Sequence, residues 1–308
     1  MDAWAHHHLD SSLETFFTPW HAIFYSGFLV LAITIGWKWL SGVRQKYQWY
    51  AALPRGYGLS LLGAVIFMAG GVGDLLWHII FGIEVDIEAL LSPTHLILAL
   101  GAALIVAGPL RASVFSHNQF DSWFQELPMV CALIFFTAVL AFMTQYAHPL
   151  VNPWMGLVKK TDDPFFGQAL GTLNILIHTA IIMGVVLAVL RRRVLPVGSF
   201  TLLFGLHAVA FTILENQFRF LLPAVVSGIL IDYIYWRVRS SFNDSFQFRV
   251  FAFVVPFIYY FGYFITIAAT EGTWWSVHLW AGMIVLAGVV GWLLSHLVFP
   301  SAQDDVTV

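Results

Sequence analysis

Nine stretches of the chain are continuously apolar, at about 18–40, 57–82, 92–110, 127–147, 166–190, 198–215, 220–238, 247–270 and 275–298. A helix that crosses a bilayer needs roughly 20 mainly apolar residues. The pattern therefore predicts an all-α, polytopic transmembrane helix bundle of nine spans. Lys and Arg collect in cytoplasmic loops, and their positions predict an orientation. With the N-terminus outside, Lys38, Arg44, Lys46, Arg55, Arg111, Arg191, Arg192, Arg193, Arg237, Arg239 and Arg249 fall inside, and only Lys159, Lys160 and Arg219 fall outside. Nine spans then leave the C-terminus inside.

Composition agrees with this pattern. The 308 residues are 59% hydrophobic, 17% aromatic and only 10% charged, with a mean hydropathy of +0.81, which makes the chain an integral membrane protein; a plasma or inner membrane is the expected location. The net charge of −3 says little about partners beyond the lipid bilayer. The single cysteine, Cys131, excludes a disulfide framework and a Cys-rich metal cage. The opening MDAWAHHHLDSS lacks a basic segment followed by an apolar one, so no cleavable signal peptide is expected. Nothing reads as a nucleotide loop, a nucleophile elbow or a nucleic-acid surface.

Two segments repeat a polar pattern where spans begin: LETFFTPWH at 13–21 and IEALLSPTH at 87–95. Thr18 and Ser92 read as N-caps, with Pro19 and Pro93 at the first helical position. His21 and His95 then fall in the first turn, where the positive end of the helix dipole disfavours an imidazolium and leaves a neutral ring fit to ligate a metal. Each segment is preceded by D-x-x-x-H: Asp2 and His6 before the first, Asp74 and His78 before the second. Residues four apart share a helix face. Asp2, His6 and His21 thus form one expected ligand set, and Asp74, His78 and His95 a second. Ionisable residues at membrane depth are costly and mark functional sites. An Asp and two His leave at least one position open and suit copper or, alternatively, zinc. The repeat divides the chain into a duplicated metal-binding region, 1–110, and a remaining bundle, 111–308.

Other polar residues have plainer readings. Glu84, Asp86 and Glu88 read as a solvated acidic loop, although Glu14 and Glu88, at equivalent positions of the two copies, could each orient an imidazole N–H. His178 and His207 fall mid-span and must face the bundle interior, by default as hydrogen-bonded groups and otherwise as a proton path or third site. His148, Glu271 and His278 lie near the outer rim. Glu215 and Arg219, four apart, read as an ion pair.

The order D-x-x-x-H, F-T-P-x-H, D-x-x-x-H, S-P-x-H over residues 1–100 resembles the membrane-embedded, copper-holding component of the copper membrane monooxygenases, the particulate methane and ammonia monooxygenase family. The resemblance implies that Asp2, His6 and His21, and Asp74, His78 and His95, each hold copper. The family usually has Asn where this chain has Asp74. It further implies oxidation of a small hydrophobic substrate with O2, beside other subunits or in a homo-oligomer, with the metal sites toward the outer face. Two alternatives use the same ligands. One is copper or zinc transport or handling at the outer face, and the other is an intramembrane zinc-dependent lipid hydrolase.

Overall fold

The computed structural model describes Trp4, His8 and residues 18–84, 87–115 and 122–298. Within them the chain is helical, with no strand; Gly156 and Thr273 form a lone antiparallel bridge. Two compact units divide at Thr144 and Gln145.

The first unit contains α1 (Pro19–Arg44), α2 (Gly58–Phe81), α3 (Pro93–Val106), α4 (Gly108–Phe115), which continues α3 after a single residue, and α5 (Trp123–Phe142). Helices α2 and α3 form an antiparallel hairpin in tight contact. A Cβ on Gly63 would stand 2.8 Å from the Gly101 carbonyl oxygen, and one on Gly101 would stand 2.7 Å from the Phe67 nitrogen. Only glycine lets two backbones approach so closely, the device by which membrane helices associate without a hydrophobic driving force between them. Above this contact Gly70 lies against Ile97 and Leu98, and Asp74 against Thr94. Ala64, Phe67, Leu98 and Ile105 form the small core, with Tyr25, Phe28 and Leu31 of α1 packed against it.

The second unit contains α6 (Pro164–Leu190), α7 (Ser199–Thr212), α8 (Leu221–Val238), α9 (Ser245–Thr270) and α10 (Val277–Val298). Its core includes the fully buried Ile175, Leu187, Phe200, Tyr235, Phe251 and Tyr260. Buried Asp232 of α8 accepts the backbone N–H of Phe200 (3.2 Å), the N–H of Thr201 (2.8 Å) and the Thr201 hydroxyl (2.6 Å). Gly198, at φ 99°, turns the chain into α7 without a capping side chain of its own. Asp232 caps the helix from across the interface, and its negative charge lies at the positive helix end.

Among the described residues, eight helices are long and apolar enough to cross a membrane, α3 with α4 counting as one. The expected span at 198–215 differs. It forms α7, a helix of 14 residues, about 21 Å long at 1.5 Å per residue, shorter than the ~30 Å hydrocarbon core. It is cut short by Gly198 at one end and by the turn at Asn216, φ 54°, near the other. Exposed apolar side chains such as Val30, Trp37 and Ile79, 65–70% exposed, would be an aggregation surface in water and are the lipid-contacting surface of a bilayer protein.

Replacing Asp232 by Ala removes three charge-assisted hydrogen bonds from the start of α7. We expect a loss of about 2–4 kcal/mol, read as a lower melting temperature of the detergent-solubilised protein. An unchanged melting temperature would show that the cap contributes nothing.

Candidate metal centre

The α2–α3 hairpin closes around three polar side chains. Asp74 and His78 lie one turn apart near the end of α2, and His95 is the third residue of α3. Asp74 Oδ2 is 3.4 Å from His78 Nε2, and Asp74 Oδ1 is 3.6 Å from His95 Nε2. One ligand atom from each residue lies within 4.8 Å of the other two. Donors about 2.1 Å from a tetrahedral ion stand about 3.4 Å apart. The two Asp–His separations, one from each oxygen of the carboxylate, are close to that spacing and long for direct hydrogen bonds.

The helix ends that bring the ligands together also orient them. Gly82 terminates α2 at φ 87°, its N–H bonded to the His78 carbonyl. Its own carbonyl oxygen lies 3.1 Å from His78 Nδ1, as does Glu84 Oε2. A proton on Nδ1 is thereby held, and the Nε2 lone pair is left toward Asp74. At the start of α3, Ser92 Oγ accepts the His95 backbone N–H at 3.4 Å and lies 2.6 Å from His95 Nδ1. One hydroxyl both caps the helix and fixes the imidazole, which gives the [S/T]-P-x-H pattern a purpose beyond capping. Thr94 donates to Asp74 Oδ1 at 2.8 Å. Asp74 is 4% exposed, and the His95 side chain 30%, so the set opens toward one side.

The first expected set is not assembled among the described residues. Asp2, His6 and Glu14 lie outside them, as does Asp86. His21 is the third residue of α1, its N–H accepted by the Thr18 hydroxyl at 3.3 Å, so the predicted cap is present; its ring packs edge-on to Tyr25. Glu88 is exposed on the one-turn helix Glu88–Leu91. Glu84, read from sequence as part of a solvated loop, is instead the acid that turns inward, its side chain 12% exposed against His78. Nothing in the alternation of acids singled it out; it follows the positive-φ turn at Gly82 that brings it against the ring.

In the second unit His148, His178 and His207 converge, all three buried, into a separate cluster. Burial holds the His148 imidazole well below its ordinary pKa near 6.5, with His178 and His207 pushing the same way, so this ring is neutral. Arg219 reaches Glu271 in a two-pronged ion pair at 2.8 and 3.0 Å, while Glu215 and His278 are exposed near the helix ends. Among known proteins, no family model, curated sequence or solved structure matches the chain.

Two replacements separate the acids of the loop. Glu84→Gln weakens the affinity of the hairpin for a divalent transition ion about 10–100-fold, the usual cost of losing a group that orients a ligating His. Glu88→Gln leaves it unchanged. Competition against a chromophoric chelator reads both, and equal effects would remove Glu84 from the site.

Proposed function

We propose that this is an integral membrane protein that holds a copper ion through Asp74, His78 and His95 near the outer face of a plasma or inner membrane. The observation that carries this reading is the convergence of the Asp74 carboxylate with the Nε2 atoms of His78 and His95, each imidazole oriented through its Nδ1. Two nitrogens and one oxygen suit copper and zinc alike; copper is favoured by its higher place in the order of divalent affinities and by the motif likeness to the copper membrane monooxygenases. The Lys and Arg distribution supports the outer-face placement, since Lys38, Arg44, Lys46, Arg55 and Arg111 lie at the opposite ends of the first three spans.

The chain's own residues define what such a centre does. Asp74 supplies the charge that makes a dipositive ion tolerable at this depth. Ser92 and Gly82 hold the rings through hydrogen-bond contacts at Nδ1, and the Glu84 carboxylate stands 3.1 Å from the same atom of His78. Fewer than four protein donors leave a position for an exogenous ligand, and bound copper supplies dioxygen binding and one-electron chemistry there. A groove of about 260 Å³ between α1 and α2 is lined by Tyr25, Phe28, Phe67, Met68, Gly71, Val72 and Leu75, the last adjacent to Asp74 in sequence. It fits a small apolar molecule entering from lipid, and oxidation of such a substrate, with electrons from a partner subunit, is the reaction we assign. Delivery or uptake of the metal is the second reading, favoured by the exposed edge of His95.

Elemental analysis of the purified protein tests the centre. His78→Ala/His95→Ala removes one copper per chain, with loss of a nitrogen-rich copper paramagnetic resonance signal. Copper retained at the wild-type level overturns the assignment. Zinc in its place turns the reading toward the hydrolase.

A further inference from the structure

The second unit carries a ligand set of different chemistry. His148 lies in the loop that follows α5, His178 on α6 and His207 on α7, with 1%, 3% and 1% of their surfaces exposed. His148 Nε2 is 3.1 Å from His207 Nε2, and His178 Nε2 is 3.2 Å from the same atom. One nitrogen of each ring lies within 4.8 Å of the others. Three nitrogens bound at about 2.0–2.1 Å to a tetrahedral ion stand about 3.3 Å apart.

The three rings do not satisfy one another. The His207 nitrogen common to both contacts has either one proton or one lone pair, so it serves one neighbour and not the other. The other nitrogens are already committed in two rings. Tyr260 donates its hydroxyl to the Ile175 carbonyl at 3.2 Å and accepts from His178 Nδ1 at 2.8 Å, which leaves the His178 Nε2 lone pair facing the cluster. The Leu150 N–H donates to His148 Nδ1 at 3.1 Å. The neutral ring then has its proton on Nε2, and an ion bound there takes the proton's place. His207 Nδ1 is buried without a hydrogen-bond partner. Phe211 stacks on His148 at 4.0 Å, and Tyr259 lies 5.8 Å from His178, enclosing the cluster in aromatic rings. The surrounding backbone is fixed. Tyr263 donates to the Pro149 carbonyl at 2.8 Å and Asn174 to that of Asn152 at 3.2 Å, while the Asp232 cap anchors α7, which carries His207.

We infer that His148, His178 and His207 form a second metal centre, independent of the Asp74 hairpin, that holds a late first-row transition ion of the zinc and copper type by three imidazole Nε2 atoms. No carboxylate belongs to the set, so it differs from the first centre in charge and in its exclusion from water, and it keeps a resident ion.

The test uses full-length protein in detergent, with His78→Ala/His95→Ala to silence the hairpin. Anaerobic titration with Cu(I) kept reduced by ascorbate, and separately with Zn(II), is followed by elemental analysis after gel filtration. One ion per chain is expected to remain, with an X-ray absorption shell of nitrogen from three imidazoles, and the tighter titrant identifies the ion. Addition of the ion should also raise the melting temperature of this protein, a readout that needs no change in the cluster. Adding His178→Asn/His207→Asn abolishes retention. Tyr260→Phe, which keeps the ring packing, weakens binding about 10–100-fold. The inference is overturned if neither ion binds, if the melting temperature stays constant, or if retention survives replacement of His178 and His207. Failure of the hairpin reading looks different: wild type and the His78→Ala/His95→Ala protein would then hold equal metal.

Discussion

A carboxylate buried in an apolar hairpin sets the terms for the first unit. Asp74 is nearly sealed from solvent on a helix whose other faces meet lipid or packed side chains, and a lone ionised carboxylate there would cost several kcal/mol. The hairpin answers with the Thr94 hydroxyl, which donates to one oxygen, and it gathers the Nε2 atoms of His78 and His95 on either side of the carboxylate. Because α2 and α3 must be in close register for these groups to meet, the glycine contact at Gly63 and Gly101 is part of the site's construction, although it lies about three turns away.

The same helix ends serve two purposes. A helix end must satisfy its unpaired backbone groups in any case, and here Gly82 and Ser92 do so while contacting the Nδ1 atoms of His78 and His95. Placing ligands next to caps gives them rigid orienting partners without adding polar groups to the membrane.

The two clusters divide along the chemistry of their donors. The hairpin set has a carboxylate and a ring edge toward solvent, which suits exchange and an exogenous ligand. The His148, His178 and His207 set is all imidazole, aromatic-walled and dehydrated, which suits retention. In each cluster a ring is held through Nδ1 by a neighbouring polar group: Gly82, Glu84 and Ser92 in the first, Tyr260 and the Leu150 amide in the second.

Hydrophobic run length alone determined that the chain is an all-α membrane protein, because spanning a bilayer imposes a length that sequence displays directly. Local chemistry determined the caps at Thr18 and Ser92, since capping reaches only three residues. It also paired Asp74 with His78, whose spacing of four fixes a shared face, and placed His95 at a helix start. Tertiary structure decided the rest. It made the 198–215 run a short helix, because the turns at Gly198 and Asn216 shorten it. It selected Glu84 over Glu88 through the Gly82 turn, and joined Arg219 to Glu271 across 52 positions of sequence. It brought His148, His178 and His207 together from a loop and two helices, where no spacing connects them and only the packing of the second unit sets the distance.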